Sequence, residues 1–223
     1  MTFHKEGVSD YLWNILCKIQ NNSLFSDYNL VGGTALSLHI GHRISEDLDL
    51  FTEKELHKEK ILDFINRTIT KDTKIINSEG SIFQILLNNN LKIDFVHYPH
   101  KLLDPLITSS EGVRIVGKND ISAMKMSATG TRGNEAKDYV DLYYLLKEFK
   151  IDTIINNFKK KYQTHDILHY QRSMIYFDDV PENSWKSIKM IKDTLSVNDI
   201  KSTLKKAVIE YEKIIKNKKE RKY

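Results

Sequence analysis

The sequence predicts an α+β protein, with a mixed sheet and its helices over residues 1–118 and a helical domain over residues 119–223. Three observations predict it. Short runs before residue 118 alternate apolar and polar residues with the period of a strand. Two of these runs are separated by Asn88-Asn89-Asn90, which is turn chemistry. From Asn119 onward apolar residues recur only at helical spacing.

Val8, Tyr11, Leu12, Ile15, Leu16 and Ile19 are spaced as one face of a helix over 7–21, which also takes up Cys17 as a small hydrophobe. Tyr28–Val31 is a short apolar run ending at Gly32-Gly33. A helix is expected over 34–40, stopped by Gly41. Asp47–Phe51 alternates strictly and reads as a strand. Thr52 is expected to cap the next helix, with Glu55 completing a capping box. Residues 81–87 and 91–96 form a hairpin, and a short strand follows near 113–116. Helices are then expected over 119–129, 136–149, 151–161, 165–175, 185–194 and 197–217.

A hydrophobic share of 40% and a charged share of 29% are those of a globular chain. The N-terminus has no continuous apolar core, so an amphipathic helix is expected there and not a signal peptide. No run approaches the ~18 apolar residues of a membrane span. The expected compartment is the cytoplasm. Net charge is only +4, but residues 201–223 hold nine Lys or Arg against three Glu. Such a tail either tracks phosphates or is a solvated helix end.

The chemistry concentrates in residues 32–51 and at Asp94. Two carboxylates one residue apart on a strand share a face, so Asp47 and Asp49 converge while Leu48 and Leu50 point to a core. Asp94, in Lys92-Ile93-Asp94-Phe95-Val96, lies on a second alternating strand. If the two strands are neighbours, three carboxylates meet. Their natural partner is Mg2+ or Mn2+, a hard cation that shares oxygen ligands with substrate phosphates. Gly32 and Gly33 allow close backbone approach, and the helix from Thr34 aims free N–H groups at an anion. A triphosphate between that turn and the acids is the expected arrangement. The acids are the catalytic and metal-ligating candidates, with Gly32, Gly33 and Thr34 as nucleotide-binding candidates.

Gly-Gly-Thr-Ala-Leu (32–36), Gly-His-Arg-Ile-Ser-Glu-Asp-Leu-Asp-Leu-Phe (41–51) and Lys-Asp-Tyr-Val-Asp-Leu-Tyr-Tyr-Leu-Leu (137–146) resemble the AbiEii/AbiGii toxin family of nucleotidyltransferases. The resemblance runs from about residue 10 to 180 and is looser in the C-terminal half. It implies a DNA polymerase β-like nucleotidyltransferase palm followed by a helical domain. It further implies transfer of a nucleoside monophosphate from an NTP, the toxin side of a type IV toxin–antitoxin or abortive-infection system, and a possible cognate antitoxin protein. Related toxins act on the 3′ end of tRNA, so an RNA acceptor such as tRNA is expected.

Five further positions join the nucleotide-binding candidates. Arg43 and Ser45 flank the turn into Asp47, where they bind phosphate or merely build the turn; the shared His-Arg-x-Ser element favours binding. Lys125, in an apolar context, must reach a charge or water, and the resemblance places a functional lysine on this helix. Asp138 and Asp141 share a helix face. Chemistry alone leaves open an acidic motif closing the nucleotide site or a charge network holding Lys125 and Arg132. The resemblance implies a functional aspartate without saying which.

Two other readings stay open at this level. A glycosyltransferase also uses D-x-D to hold a metal and a nucleotide-sugar, but does not require the diglycine or the third carboxylate. A catalytically silent RNA- or protein-binding module has little reason to concentrate acids beside phosphates.

Overall fold

The computed structural model describes residues 3–192 and 194–220. The chain divides into two compact units, Met1–Lys118 and Asn119–Tyr223. The first contains α1 (Asp10–Gln20), β1 (Asn29–Val31), α2 (Gly32–Ile40), β2 (Leu48–Thr52), α3 (Lys58–Thr68), β3 (Thr73–Asn77), β4 (Ile82–Leu87), β5 (Leu91–His97), β6 (Ile107–Thr108) and β7 (Arg114–Ile115). Its seven strands form one mixed sheet in the order β3-β4-β5-β2-β1-β7-β6.

The alternation along β2, β4 and β5 decides which face is covered. Leu48, Leu50, Phe83, Ile85, Ile93 and Phe95 are buried, while Asp49, Gln84, Lys92 and Asp94 stay half-buried on the other face. The hairpin turn has Asn88 and Asn89 at φ of 49° and 52°, left-handed conformations that Asn tolerates better than most residues. Its closure sets the β4–β5 register, with Leu87 opposite Leu91 and Gln84 opposite Asp94. Strand β2 joins β5 in parallel, with Asp49 opposite Asp94, and β1 antiparallel on its other side, with Val31 opposite Asp49.

Several expectations are corrected. Asp47 precedes β2 instead of opening it. Thr52 does not cap a helix: its hydroxyl accepts from the Lys54 N–H, and α3 begins only at Lys58 without a side-chain cap. Strands β3 and β6 were not anticipated. The helix expected over 185–194 is instead a five-residue helix ending at Lys186.

The second unit is helical: α4 (Lys118–Thr131, beginning at the last residue of the first unit), α5 (Ala136–Glu148), α6 (Ile151–Tyr162), α7 (Leu168–Ser173), α8 (Glu182–Lys186) and α9 (Val197–Glu220). Helix α9 packs on α5 and α6 through Ile200, Leu204, Val208 and Tyr211, all buried. Tyr139 is fully buried in α5, and its hydroxyl donates to the Tyr176 carbonyl at 2.7 Å. Tyr139 and Tyr144 are thus packing residues. Among the described residues no helix is long and apolar enough to cross a membrane.

Candidate active site

Two of the three candidate acids, Asp49 and Asp94, lie along one row of the sheet. Parallel pairing puts Asp49 level with Asp94, and antiparallel pairing puts Gln84 on the far side of Asp94. Residues level with each other on neighbouring strands share a face, so Gln84, Asp94 and Asp49 form a polar row across three strands. Asp47 directly precedes β2, whose first paired residue, Leu48, lies level with Ile93, the neighbour of Lys92.

Asp94 Oδ2 accepts from Gln84 Nε2 at 3.0 Å and pairs with Lys92 Nζ at 3.2 Å. Asp94 Oδ1 is buried with no hydrogen-bond partner. Burial alone pulls the Lys92 pKa down, but the charges of Asp94, Asp47 and Asp49 outweigh it and hold that pKa above its ordinary value. Lys92 and Gln84 are the site residues that sequence reasoning missed. Lys92 was legible as the same-face neighbour of Asp94 two positions away, and Gln84 by counting outward from the Asn turn.

Local sequence explains how Asp49 meets the start of α2. Gly32 has φ of +70°, and a Cβ there would lie 2.0 Å from Asp49 Oδ2. A side chain at this position would displace the carboxylate, so glycine keeps the helix N-terminus against it. Val31 supplies no side-chain cap to α2, which leaves the first turn's N–H groups and the helix's positive end turned toward the acid row. Gly41, at φ +59°, ends α2 in the left-handed conformation.

The turn from Gly41 to Asp47 is built from inside. The Thr34 hydroxyl donates to the Asp47 carbonyl and lies 2.8 Å from the Ser45 hydroxyl. The Ser37 hydroxyl donates to the Arg43 carbonyl, and the Ser45 N–H donates to the Gly7 carbonyl at 2.8 Å. Arg43 and Ser45 are 4% and 6% exposed, and the Arg43 guanidinium donates to the Ile44 carbonyl at 3.1 Å. These two candidates and Thr34 thus lie in the wall that fixes Asp47.

The other candidates lie in the second unit. Lys125 Nζ is 2.7 Å from Asp138 Oδ1 and 2.6 Å from Asp141 Oδ2, and all three residues are buried. Arg132, half exposed, reaches Asp138 Oδ2 at 2.7 Å. Desolvation pushes the Asp138 pKa up, but Lys125 and Arg132 prevail and hold it below the ordinary carboxylate value. A second buried pair, Lys161 with Asp120 at 2.7 Å, joins α6 to α4.

Among the described residues no three His, Cys, Asp or Glu side chains form a ready-made metal cage, and Asp94 is paired with Lys92. The row still fits a divalent ion. Its donors are carboxylate oxygens, which hard cations take, and one of them, Asp94 Oδ1, is buried without a partner.

The family profile described as "Nucleotidyl transferase AbiEii toxin, Type IV TA system" matches residues 14–208. The "Uncharacterized protein aq_aa25" of Aquifex aeolicus (strain VF5) is 32% identical over 178 residues, spanning 77% of this chain and 84% of its own length. Two solved structures share the fold. JHP933 from Helicobacter pylori superposes with a TM-score of 0.57 at 19% identity, covering 94% of this chain and 92% of that one. MenT4, a nucleotidyltransferase toxin from Mycobacterium tuberculosis H37Rv, does so with a TM-score of 0.56 at 13% identity, covering 89% and 81%.

Proposed function

Because this chain belongs to the AbiEii family of type IV toxin–antitoxin nucleotidyltransferases, we propose that it transfers a nucleoside monophosphate from an NTP to an RNA, with the 3′ end of tRNA as the acceptor. The observation that carries this reading is the in-register pairing of Asp49 with Asp94 beside Gly32. Membership in a nucleotidyltransferase family leaves the glycosyltransferase and silent-module readings without support.

Asp47, Asp49 and Asp94 are the catalytic acids and would hold Mg2+ or Mn2+, which when bound neutralises charge on the triphosphate. Gly32 and Gly33 bring backbone N–H groups of α2 to the phosphates. Thr34, Arg43 and Ser45 fix the turn that aims Asp47, and their neighbourhood borders the phosphates. Lys125, with Asp138 and Asp141 around it, is the nucleotide-binding candidate of the helical unit. An acceptor hydroxyl oxygen attacks the α-phosphorus, the bond from that phosphorus to the bridging oxygen breaks, pyrophosphate leaves, and the hydroxyl proton passes to solvent. The chain's own contribution is positioning and charge placement. RNA and NTP place the activity in the cytoplasm, and the type IV assignment makes a cognate antitoxin protein the expected counterpart.

The test is incubation of purified protein with total RNA, Mg2+ and each labelled NTP in turn. One labelled RNA band is expected, absent with Asp49→Ala. Label on no RNA with any of the four NTPs, from protein that binds NTP, would refute the RNA acceptor.

A further inference from the structure

We propose that Lys92 is a resident counter-cation of the acid row: its ammonium pairs with the Asp94 carboxylate when no divalent ion is bound, and gives it up when one binds. This rests on the reading of the row as a metal site. Lys92 then sets how tightly the protein holds its metal, a role nothing in the nucleotidyl transfer reaction itself requires.

Three observations carry it. First, Lys92 and Asp94 are two residues apart on β5, so both side chains stand on the acid face. Their pair is not a solvated surface contact, because Asp94 is 13% and Lys92 34% exposed. Second, the two oxygens of Asp94 are treated unequally. Oδ2 receives both Lys92 and Gln84, while Oδ1 is buried with no partner. A carboxylate satisfied on one oxygen only is suited to take a second cation, and that oxygen cannot be satisfied by the ammonium where it stands. Third, the β2–β5 register sets Asp49 level with Asp94, so a divalent ion shared by these two carboxylates would stand beside the ammonium. Two cations on the same carboxylates repel each other. The ammonium and a divalent ion therefore compete, and Gln84 remains as a neutral donor that keeps Asp94 in place during the exchange.

Lys92 is thus a positioning residue, and its test needs a readout other than turnover. Mn2+ binding to Lys92→Met, Lys92→Gln, Lys92→Arg and the parent protein is measured by electron paramagnetic resonance, together with thermal melting in chelator and in excess Mn2+. The expected result is Mn2+ affinity raised about tenfold in the Met and Gln variants, a figure scaled down from the bare attraction because Lys92 is partly solvated. Both should melt earlier than the parent in chelator and regain that loss with Mn2+, while Lys92→Arg behaves as the parent. Equal or weaker Mn2+ binding by both neutral variants overturns the proposal and leaves the metal reading standing. No saturable Mn2+ binding by parent or variants overturns the metal reading, and this proposal with it.

Discussion

The two charged clusters of this protein are built from the same residue types and are finished differently. In the helical unit, Lys125 is enclosed by Asp138 and Asp141, and Arg132 takes the remaining oxygen of Asp138. In the sheet unit, Asp94 pairs with Lys92 through one oxygen and keeps the other buried without a partner. A cluster that matches its charges internally contributes to holding helices together. A carboxylate with one buried oxygen unsatisfied is less stable than it need be and is prepared for a ligand. Charge density alone marks both clusters as places to look for chemistry, and incomplete satisfaction marks only the sheet.

The contrast is tested most directly at its two centres. Asp49→Ala should lower nucleotidyl transfer by about 10^3-fold or more while the melting temperature moves by less than about 4 °C, because removing one carboxylate relieves repulsion. Labelled-nucleotide incorporation and calorimetry on the same sample check both halves; full activity in the folded variant would refute the role. Lys125→Met should act in the opposite sense. Breaking a buried pair leaves uncompensated carboxylates and costs about 3–5 kcal/mol, read as a lower urea midpoint. Part of that stability is acid-labile. Asp138 has its folded pKa below the ordinary 3.8, so its contribution is present above that value and disappears as pH falls through the lowered one. The urea midpoint of the parent should therefore drop more between pH 4 and pH 2 than that of Asp138→Asn.

Most of this was legible where one residue's placement dictates the next. Alternation put Asp49 and Asp94 on polar faces, and an Asn-rich turn fixed the hairpin. What escaped depended on partners elsewhere in the chain. β3 has Ile75 and Ile76 adjacent and both exposed, with no period of two to detect, because its pairing with β4 and not burial makes it a strand. Thr52 offered a cap, but the Lys54 N–H two residues on claims its hydroxyl. The spacing of Asp138 and Asp141 gave a shared face, whereas their closure on Lys125 is a tertiary fact. Arg43 and Ser45 read either as phosphate ligands or as builders of the turn, and their burial follows from interior hydrogen bonds of Thr34 and Ser37 that the sequence does not display.

A smaller effect comes from the backbone beside the acids. Gly32→Ala must accept a positive φ, which costs about 1–2 kcal/mol, and must push Asp49 Oδ2 away from a Cβ 2.0 Å distant. Activity should fall by about ten- to a hundredfold with a modest loss of melting temperature. Gly33→Ala serves as the control, since its φ is not among the positive ones; equal losses in both would mean that Asp49 is not what Gly32 accommodates.

The smallest expected effect concerns the acceptor and the tail. Truncation after Asn198 cannot report on RNA binding, because it removes Ile200, Leu204, Val208 and Tyr211 from the packed interior of the helical unit, and the shortened protein should simply melt earlier. Nor are all basic residues of α9 available to phosphate: Lys201 lies 5.3 Å from the Phe177 ring centre and Lys205 5.9 Å, where cation–π attraction holds them. Lys216 is exposed, and the side chains of Lys218, Lys219, Arg221 and Lys222 lie outside the described residues. Replacing these five with Gln keeps the apolar face of α9 intact. If they attract RNA, affinity should weaken severalfold at low salt, and the log–log salt slope should shrink by roughly 0.7 for each single-strand phosphate that is no longer neutralised. Asp49→Ala in the same background should leave that slope unchanged, since the acid row repels phosphate and the tail attracts it. A slope unaltered by the five substitutions would make the tail a solvated helix end and move the search for the acceptor surface to the rest of the chain.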